Sequence, residues 1–152
     1  MKKTPPANKP QPLPDVKFHP GLPERLMEAA ALLLVVVNWG YTIYMRLAHG
    51  NENFTAACVM GVTATISFII VALCAYVPVK LINFPCRVTP TNIVTQYVLA
   101  VRFIRVINII MGITYLATTL VVYHEETAFL YTSIGLLILS TIIYVVIAMR
   151  QR

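Results

Sequence analysis

Histidine and glutamate side chains in two short connections are the residues best suited to chemistry. His49 and Glu52 lie in the first connection, and His124 and Glu125 lie in the second. Imidazole and carboxylate groups suit zinc, so convergence of the four side chains would create a divalent-metal site. However, the chain has neither an H-x-x-x-H nor an H-E-x-x-H spacing. We therefore expect solvated loop residues here, with no metal and no cofactor.

Nucleophilic and acid–base catalysis have as little support in the sequence. No Ser or Cys has a base nearby in the sequence, and the apolar stretches contain no paired acids. Cys58 and Cys74 are too far apart along one predicted helix to form a disulfide, and the C-x-x-C spacing is absent. We therefore expect a protein that is not an enzyme.

Four long apolar runs must position all of these residues. They cover residues 29–47, 54–77, 106–123 and 128–149, and none contains Asp, Glu or Lys. Each is close to the roughly 20 residues that an α-helix needs to cross a membrane. Composition agrees, because 58% of the residues are hydrophobic and 12% are charged, against about 25% charged in soluble proteins. We predict an all-α fold in which residues 22–152 form a four-helix transmembrane bundle of two helical hairpins.

The distribution of Lys and Arg predicts which way the helices face. Eleven of the twelve basic residues lie in the N-terminal segment, between the second and third runs, or after the fourth run, and the twelfth is Arg46. Short cytoplasmic segments retain basic residues more than translocated segments do. We therefore predict cytoplasmic N and C termini. Because these charges are dispersed beside the membrane, the lipid bilayer is the expected partner, and we expect no nucleic-acid binding.

Residues 1–21 form a basic, proline-rich tail. Seven of the ten prolines lie between Pro5 and Pro23, among few large apolar residues. Such a segment is predicted to be disordered and, by the charge rule, cytoplasmic. Residues 10–14 also resemble a ligand for proline-recognising domains, although a solvated leader is the simpler interpretation. The first helix is predicted to begin near Gly21, with Pro23 and Glu24 in its first turn.

The connection between the second and third runs, residues 78–89, is the longest of the three. Thr89 and Pro90 after it predict a helix cap and first turn, so the third helix would start well before the membrane. Its first part is amphipathic on a helical wheel. One face is predicted to carry Ile93, Val94, Tyr97, Val101 and Ile104, and the other Asn92, Thr95, Gln96 and Arg102.

This inner connection and two polar residues inside the runs are the candidate functional residues. The predicted interaction surface comprises Asn83, Pro85, Arg87, Gln96, Arg102 and Arg105. Asn38 and Asn108 are the predicted intramembrane contacts, because an amide can hydrogen-bond across helices. A stripe of small residues, Ala57, Gly61 and Thr65, predicts a close helix contact within the chain or between copies.

Residues 80–97, KLINFPCRVTPTNIVTQY, followed by RFIR at 102–105, form a distinctive pattern. It resembles the cytoplasmic connection of small bacterial membrane proteins that share a domain of unknown function with SdpI-type immunity proteins. The wider resemblance covers residues 22–150 loosely. The Leu-Pro-x-x-Ile-Pro-x-His-Phe loop of those proteins is missing, since residues 48–53 read AHGNEN.

The resemblance implies a bacterial cytoplasmic-membrane protein in a family whose molecular activity is mostly undefined. We therefore predict an immunity, sensing or accessory component that acts by interaction, with a membrane-protein partner or a second copy of itself. The alternative is a small transporter subunit that forms a path only as an oligomer. The absence of ionisable residues in mid-span argues against a proton-coupled pump.

Overall fold

The computed structural model describes residues 19–50, 53–125 and 127–151, and these residues form helices and connections without a strand. The helices are α1 (Leu22–His49), α2 (Phe54–Cys74), α3 (Ile93–His124) and α4 (Ala128–Arg150), with a short 3-10 turn at Val79–Leu81. Each of the four is long and apolar enough to cross a membrane. The protein is therefore an all-α, multi-pass membrane protein, as predicted. The predicted disorder of residues 1–18 lies outside the described residues.

The four helices form two antiparallel hairpins, and α3 is the central element. It packs against each of the other three helices, whereas α4 packs mainly against α3. We call the end that holds the start of α1, residues 75–92 and the last turn of α4 the connection end. The opposite end, with the links from α1 to α2 and from α3 to α4, is the hairpin end. Because α1 and α3 both run from the connection end to the hairpin end, they lie parallel.

One stripe of α1 is buried along its whole length. Its members recur at intervals of three, four or seven residues, the spacings that keep side chains on one helix face. The buried positions are Glu24, Ala31, Val35, Asn38, Thr42 and Met45. This stripe mixes apolar residues with an acid and an amide, so α1 is held in the bundle by polar contacts as well as by packing.

Small residues let α2 approach α1 closely. Ala57, Gly61 and Ala64 are buried on α2, and a Cβ at Gly61 would lie 3.0 Å from the Trp39 ring on α1. Trp39 Nε1 also donates a hydrogen bond of 3.0 Å to Thr65 Oγ1. The predicted small-residue contact is thus present, and it lies within one chain.

The helix ends agree with the sequence predictions at α1 and differ at α3. At α1, the Gly21 N–H donates to Glu24 Oε2 at 3.0 Å, which satisfies one of the free amides of the first turn. At α3, the prediction of a start at Pro90 capped by Thr89 is wrong. A turn intervenes, in which the Thr89 N–H donates to Asn92 Oδ1 at 2.7 Å, and the helix begins at Ile93.

Candidate functional site at the connection end

Residues 75–92 fold against the first turns of α3 and form a small apolar core of their own. Val79 packs with Ile93, Tyr97 and Val101 of α3. The partly buried side chains around this core are Ile82, Phe84 and Val88. The hydroxyl of Tyr97 donates to the Val77 carbonyl at 3.1 Å, which ties the end of α2 to α3. The connection is therefore a packed element with a defined shape.

Packing of this core decides which residues of the connection face outward. Asn83, Pro85 and Arg87 are exposed, whereas Cys86 between them is only 9% exposed. The backbone at Arg87 is held from the residue that precedes α3, because Asn92 Nδ2 donates to the Arg87 carbonyl at 3.4 Å. Three of the six residues predicted for an interaction surface thus lie together on a fixed outer surface.

Two ion pairs link α1 to α3 next to this folded connection. The outer pair joins Arg102 Nε to Glu24 Oε1 at 2.8 Å. The Arg102 side chain is 53% exposed, whereas that of Glu24 is buried. Glu24 accepts from the Gly21 N–H with its other oxygen, so its carboxylate both caps α1 and orients the arginine.

The inner pair lies one turn further along both helices, and it buries the arginine while the Glu28 side chain stays 27% exposed. Arg105 is 2% exposed, and its Nε and Nη2 lie 2.9 and 2.8 Å from Glu28 Oε1. Tyr76, just after α2, donates its hydroxyl to the same oxygen at 2.8 Å. The Arg105 guanidinium also lies 5.5 Å from the centre of the Tyr76 ring. One carboxylate oxygen of α1 thus binds residues of two other segments, α3 and the connection.

The charged groups of this cluster lie at the edge of the apolar region, where they lose contact with water. A buried charge is tolerated only when it is paired and hydrogen-bonded. Arg105 also donates from Nη1 to the Val101 carbonyl at 3.3 Å. The hydrogen bond to the Glu28 carboxylate raises the pKa of Tyr76 above its ordinary value, because ionisation of the phenol would break this bond. The cluster neutralises itself within the chain.

Gln96 is buried between α3 and α4, although the helical wheel predicted it on the polar face. Its Nε2 donates to the Ala148 carbonyl at 3.0 Å and to the Gln151 carbonyl at 3.3 Å. The last carbonyls of a helix have no partner within that helix. Gln96 therefore caps the end of α4 from a neighbouring helix, and α4 rather than water covers this face of α3.

The two asparagines predicted as intramembrane contacts have different surroundings. Asn108 Nδ2 donates to the Phe68 carbonyl at 3.4 Å and so links α3 to α2. Asn38 is buried, and its amide has no hydrogen-bond partner among the described residues. The structure thus gives Asn108 the interhelical contact expected of it, and it gives Asn38 none within the described chain.

The hairpin end carries the residues that were weighed as metal ligands. His124 Nε2 lies 2.6 Å from the Tyr41 hydroxyl on α1. Among the described residues there is no group of three or more His, Cys, Asp or Glu side chains placed to hold a metal ion. Glu52 and the side chain of His49 lie outside the described part of the structure, so the four-residue convergence is not described.

The predicted site residues therefore divide into two groups. Four are exposed, namely Asn83, Pro85, Arg87 and Arg102, whereas Gln96 and Arg105 face inward and bind other parts of the chain. Sequence reasoning did not identify Glu24, Glu28 or Tyr76 as their partners. The sequence does contain an indication of the inner pair. Residues 28 and 105 each directly precede a predicted apolar run, so they lie at the same depth relative to the membrane.

Comparisons with known proteins give no family for this arrangement. No protein-family model matches the chain, and no curated protein or solved structure matches it. The resemblance to SdpI-type membrane proteins stays a prediction that rests on the pattern at residues 80–105.

Proposed function

We propose that the protein is a component of the bacterial cytoplasmic membrane that acts by binding another membrane protein, in immunity, sensing or an accessory role. The working surface is the exposed part of the connection, formed by Asn83, Pro85 and Arg87. In this proposal both termini face the cytoplasm, and the protein has no catalytic activity of its own.

The observation that supports this surface most directly is the packed connection. A segment that merely joined two spans would need no core, because loops normally lie solvated on the surface. Here Val79 and Tyr97 anchor the segment, and Arg87 is held by Asn92. A fixed backbone that presents an amide, a proline and a guanidinium loses little entropy when a partner binds.

The orientation rests on the basic residues. Lys80 and Arg87 lie in the connection, and Arg150 lies at the end of α4, all at the connection end. The outer link that contains Glu125 and Glu126 carries no Lys or Arg. This asymmetry supports a cytoplasmic connection end by the positive-inside rule.

Site-specific photocrosslinking in native membranes tests the proposed surface. A photoreactive amino acid replaces Asn83 or Arg87, and the same amino acid at exposed Tyr131, near the hairpin end, is the matched control. We expect one discrete protein adduct from positions 83 and 87 and none from position 131. Identical adduct patterns at both ends, or no adduct at positions 83 and 87, would contradict the proposal.

The alternative of a transporter subunit keeps one supporting observation, because buried Asn38 has no hydrogen-bond partner among the described residues. However, Gly61 of the small-residue stripe packs against Trp39 of the same chain, and Asn108 donates to the Phe68 carbonyl of the same chain. Neither of these two contacts requires a second copy. We therefore favour the interaction protein.

A further inference from the structure

A groove runs along α3 at the connection end, apart from the working surface proposed on the connection. Its volume is about 290 Å³. Five residues of α3 and one residue after α4 line it, namely Val94, Thr95, Val98, Leu99, Arg102 and Gln151. The face of α3 that packs on the connection uses other residues, Ile93, Tyr97 and Val101. The groove and the connection surface can therefore be tested separately.

The groove combines an apolar wall with a cation at one end. Val94 is 53% exposed, and Val98 and Leu99 are partly exposed. Arg102 donates from Nε to Glu24 Oε1, and no other contact of its guanidinium is found among the described residues. Glu24 thus fixes the direction of the guanidinium, whose other N–H groups can donate to a ligand. Since none of the lining residues is acidic, the groove fits a ligand that is both apolar and negatively charged.

The end of the bundle around the groove has an excess of positive charge. The two acids described there, Glu24 and Glu28, are already bound to arginines of α3. Four other basic residues at this end form no ion pair within the described part of the chain, namely Arg25, Lys80, Arg87 and Arg150. A positive potential of this kind favours an acidic partner and speeds its encounter.

A phospholipid held by Arg102 does not fill this groove. Helix α3 enters the membrane from the connection end, so Val94 and Val98 lie further from the hydrocarbon than Arg102 does. The acyl chains of a lipid whose phosphate bound Arg102 would run toward Val106, away from the apolar wall. The occupant of the wall must therefore reach it from the aqueous side.

Other parts of this chain, or of a second copy, have the wrong charge for the groove. The N-terminal tail carries four lysines and a single acid, Asp15. Among the described residues, the one acid outside the two ion pairs is Glu125, which lies at the opposite end of the bundle. A second copy in the same orientation therefore brings no described acid to Arg102.

We propose that the groove binds an amphipathic helical segment of a cytoplasmic partner protein. Apolar side chains of that segment contact Val94 and Val98, and one Asp or Glu contacts Arg102. These three positions extend over two turns of α3, or about 12 Å, which an amphipathic helix matches with residues spaced three or four apart. The inference rests on the proposed function, because it requires a cytoplasmic connection end and a protein that acts by binding.

Fluorescence anisotropy with a model peptide tests the groove. The acidic probe is a labelled helical peptide of about 15 residues, long enough to form a helix, with Leu on one face and Glu beside it. The basic reference peptide has Lys in place of each Glu. The full-length protein is held in phosphatidylcholine nanodiscs, and empty nanodiscs give the background. We expect the acidic peptide to bind the protein at least about tenfold more tightly than the basic peptide.

Two variants with the same added charge localise the binding. Val94→Glu places a negative charge in the groove, leaves the Glu24–Arg102 pair intact and is favourable in the first turn of a helix. It should weaken binding of the acidic peptide by about tenfold or more, because like charges then face each other across the interface. Leu81→Glu is the matched control, since Leu81 is 76% exposed in the connection and lies outside the groove. It should change the affinity by less than about threefold, because exposed charges at a distance are screened.

Equal binding of the two peptides, full binding by Val94→Glu, or an equal loss in Leu81→Glu would overturn the proposal. Three further results would assign the groove to another occupant. A rise in affinity of about tenfold on deletion of residues 1–18 would identify the tail. Native mass spectrometry that finds a dimer, or a retained phospholipid, which Val94→Glu releases would identify a second copy or a lipid. The photocrosslinking at Asn83 and Arg87 does not depend on any of these outcomes, so a failure here is distinct from a failure of the proposed function.

Discussion

The two ends of the bundle join the same helices by different physical means. At the connection end, Glu24, Glu28, Arg102 and Arg105 form two ion pairs, and Gln96 caps α4. At the hairpin end the described contacts include Tyr41 with His124, Asn53 with the Val122 carbonyl, and the Arg46 guanidinium 5.0 Å from the centre of the Phe54 ring. No ion pair between helices is found there among the described residues.

The difference follows from the covalent structure. Short links at the hairpin end already fix α1 beside α2 and α3 beside α4. At the connection end, α1 starts and α4 stops without any covalent link to a neighbouring helix. Side chains must supply the attachment there, and charge pairs and a buried amide are strong enough in an environment with little water. Polar contacts are thus concentrated at the end of the bundle where the covalent links hold the helices together least.

The largest effect is expected from Arg105→Gln at the connection end. It leaves the Glu28 carboxylate without its cation, and loss of one partner of an enclosed ion pair costs about 3 kcal/mol or more. The free energy of unfolding in detergent micelles, measured by denaturant titration, checks this. Arg87→Gln, an exposed arginine outside the pair, is the control and should be close to neutral. A loss below about 1 kcal/mol in Arg105→Gln would show that the pair does not secure α1.

Replacing both members of the inner pair should lower the free energy of unfolding by less than the sum of the two single changes. Glu28→Gln combined with Arg105→Gln removes the unpaired charge and keeps hydrogen-bonding amides, so we expect a coupling of about 1 to 3 kcal/mol in a double-mutant cycle. The same denaturant titration on the four proteins gives this value. Additive losses of the free energy of unfolding would mean that the two residues act independently in the micelle.

A smaller effect is expected from Gln96→Leu, which frees the end of α4. Loss of its two hydrogen bonds to the Ala148 and Gln151 carbonyls should lower the free energy of unfolding by about 1 to 2 kcal/mol. Hydrogen exchange should accelerate mainly in the last turn of α4. Thr95→Ala, the adjacent exposed position, is the control. If exchange rises evenly over all four helices, Gln96 is not a local cap.

The smallest effect is expected at the hairpin end from Tyr41→Phe. It removes the bond to His124, which is exposed and backed by the short links, so the loss should stay below about 1 kcal/mol. Tyr131→Phe, an exposed tyrosine without a described partner, provides the reference. A loss as large as that of Arg105→Gln would remove the contrast between the two ends.

The sequence was sufficient to predict the helices but not their contacts. Runs of apolar residues report span length directly, and together with the start signals at Gly21 and at Thr89-Pro90 they placed the helix limits within three residues of those observed. Pairing of Glu28 with Arg105 depends on how α1 and α3 are rotated and aligned, which a single sequence does not encode locally. The helical wheel placed Gln96 on the polar face and Val94 on the apolar face, but α4 covers Gln96, whereas Val94 is 53% exposed.

The start of α3 shows a different reason for error. Thr89 followed by Pro90 has the composition of a helix start, but the Asn92 side chain accepts from the Thr89 amide and makes a turn first. The Thr89 carbonyl accepts from the Ile93 N–H at 3.1 Å, so this turn leads directly into the helix. The residues predicted for the interaction surface also have different environments. Asn83, Pro85 and Arg87 are exposed, while Arg105 is enclosed by partners that are distant in sequence.

Thiol labelling in intact cells tests the central claim that the connection end is the cytoplasmic, working end. Native Cys86 is unsuitable, because its burial would block a reagent on either side of the membrane. Asn83→Cys and Thr127→Cys place exposed thiols at opposite ends in a background with the three native cysteines replaced by alanine. With a membrane-impermeant maleimide, we predict labelling of Thr127→Cys in intact cells and of Asn83→Cys only after the cells are opened. Labelling of Asn83→Cys in intact cells would contradict the claim.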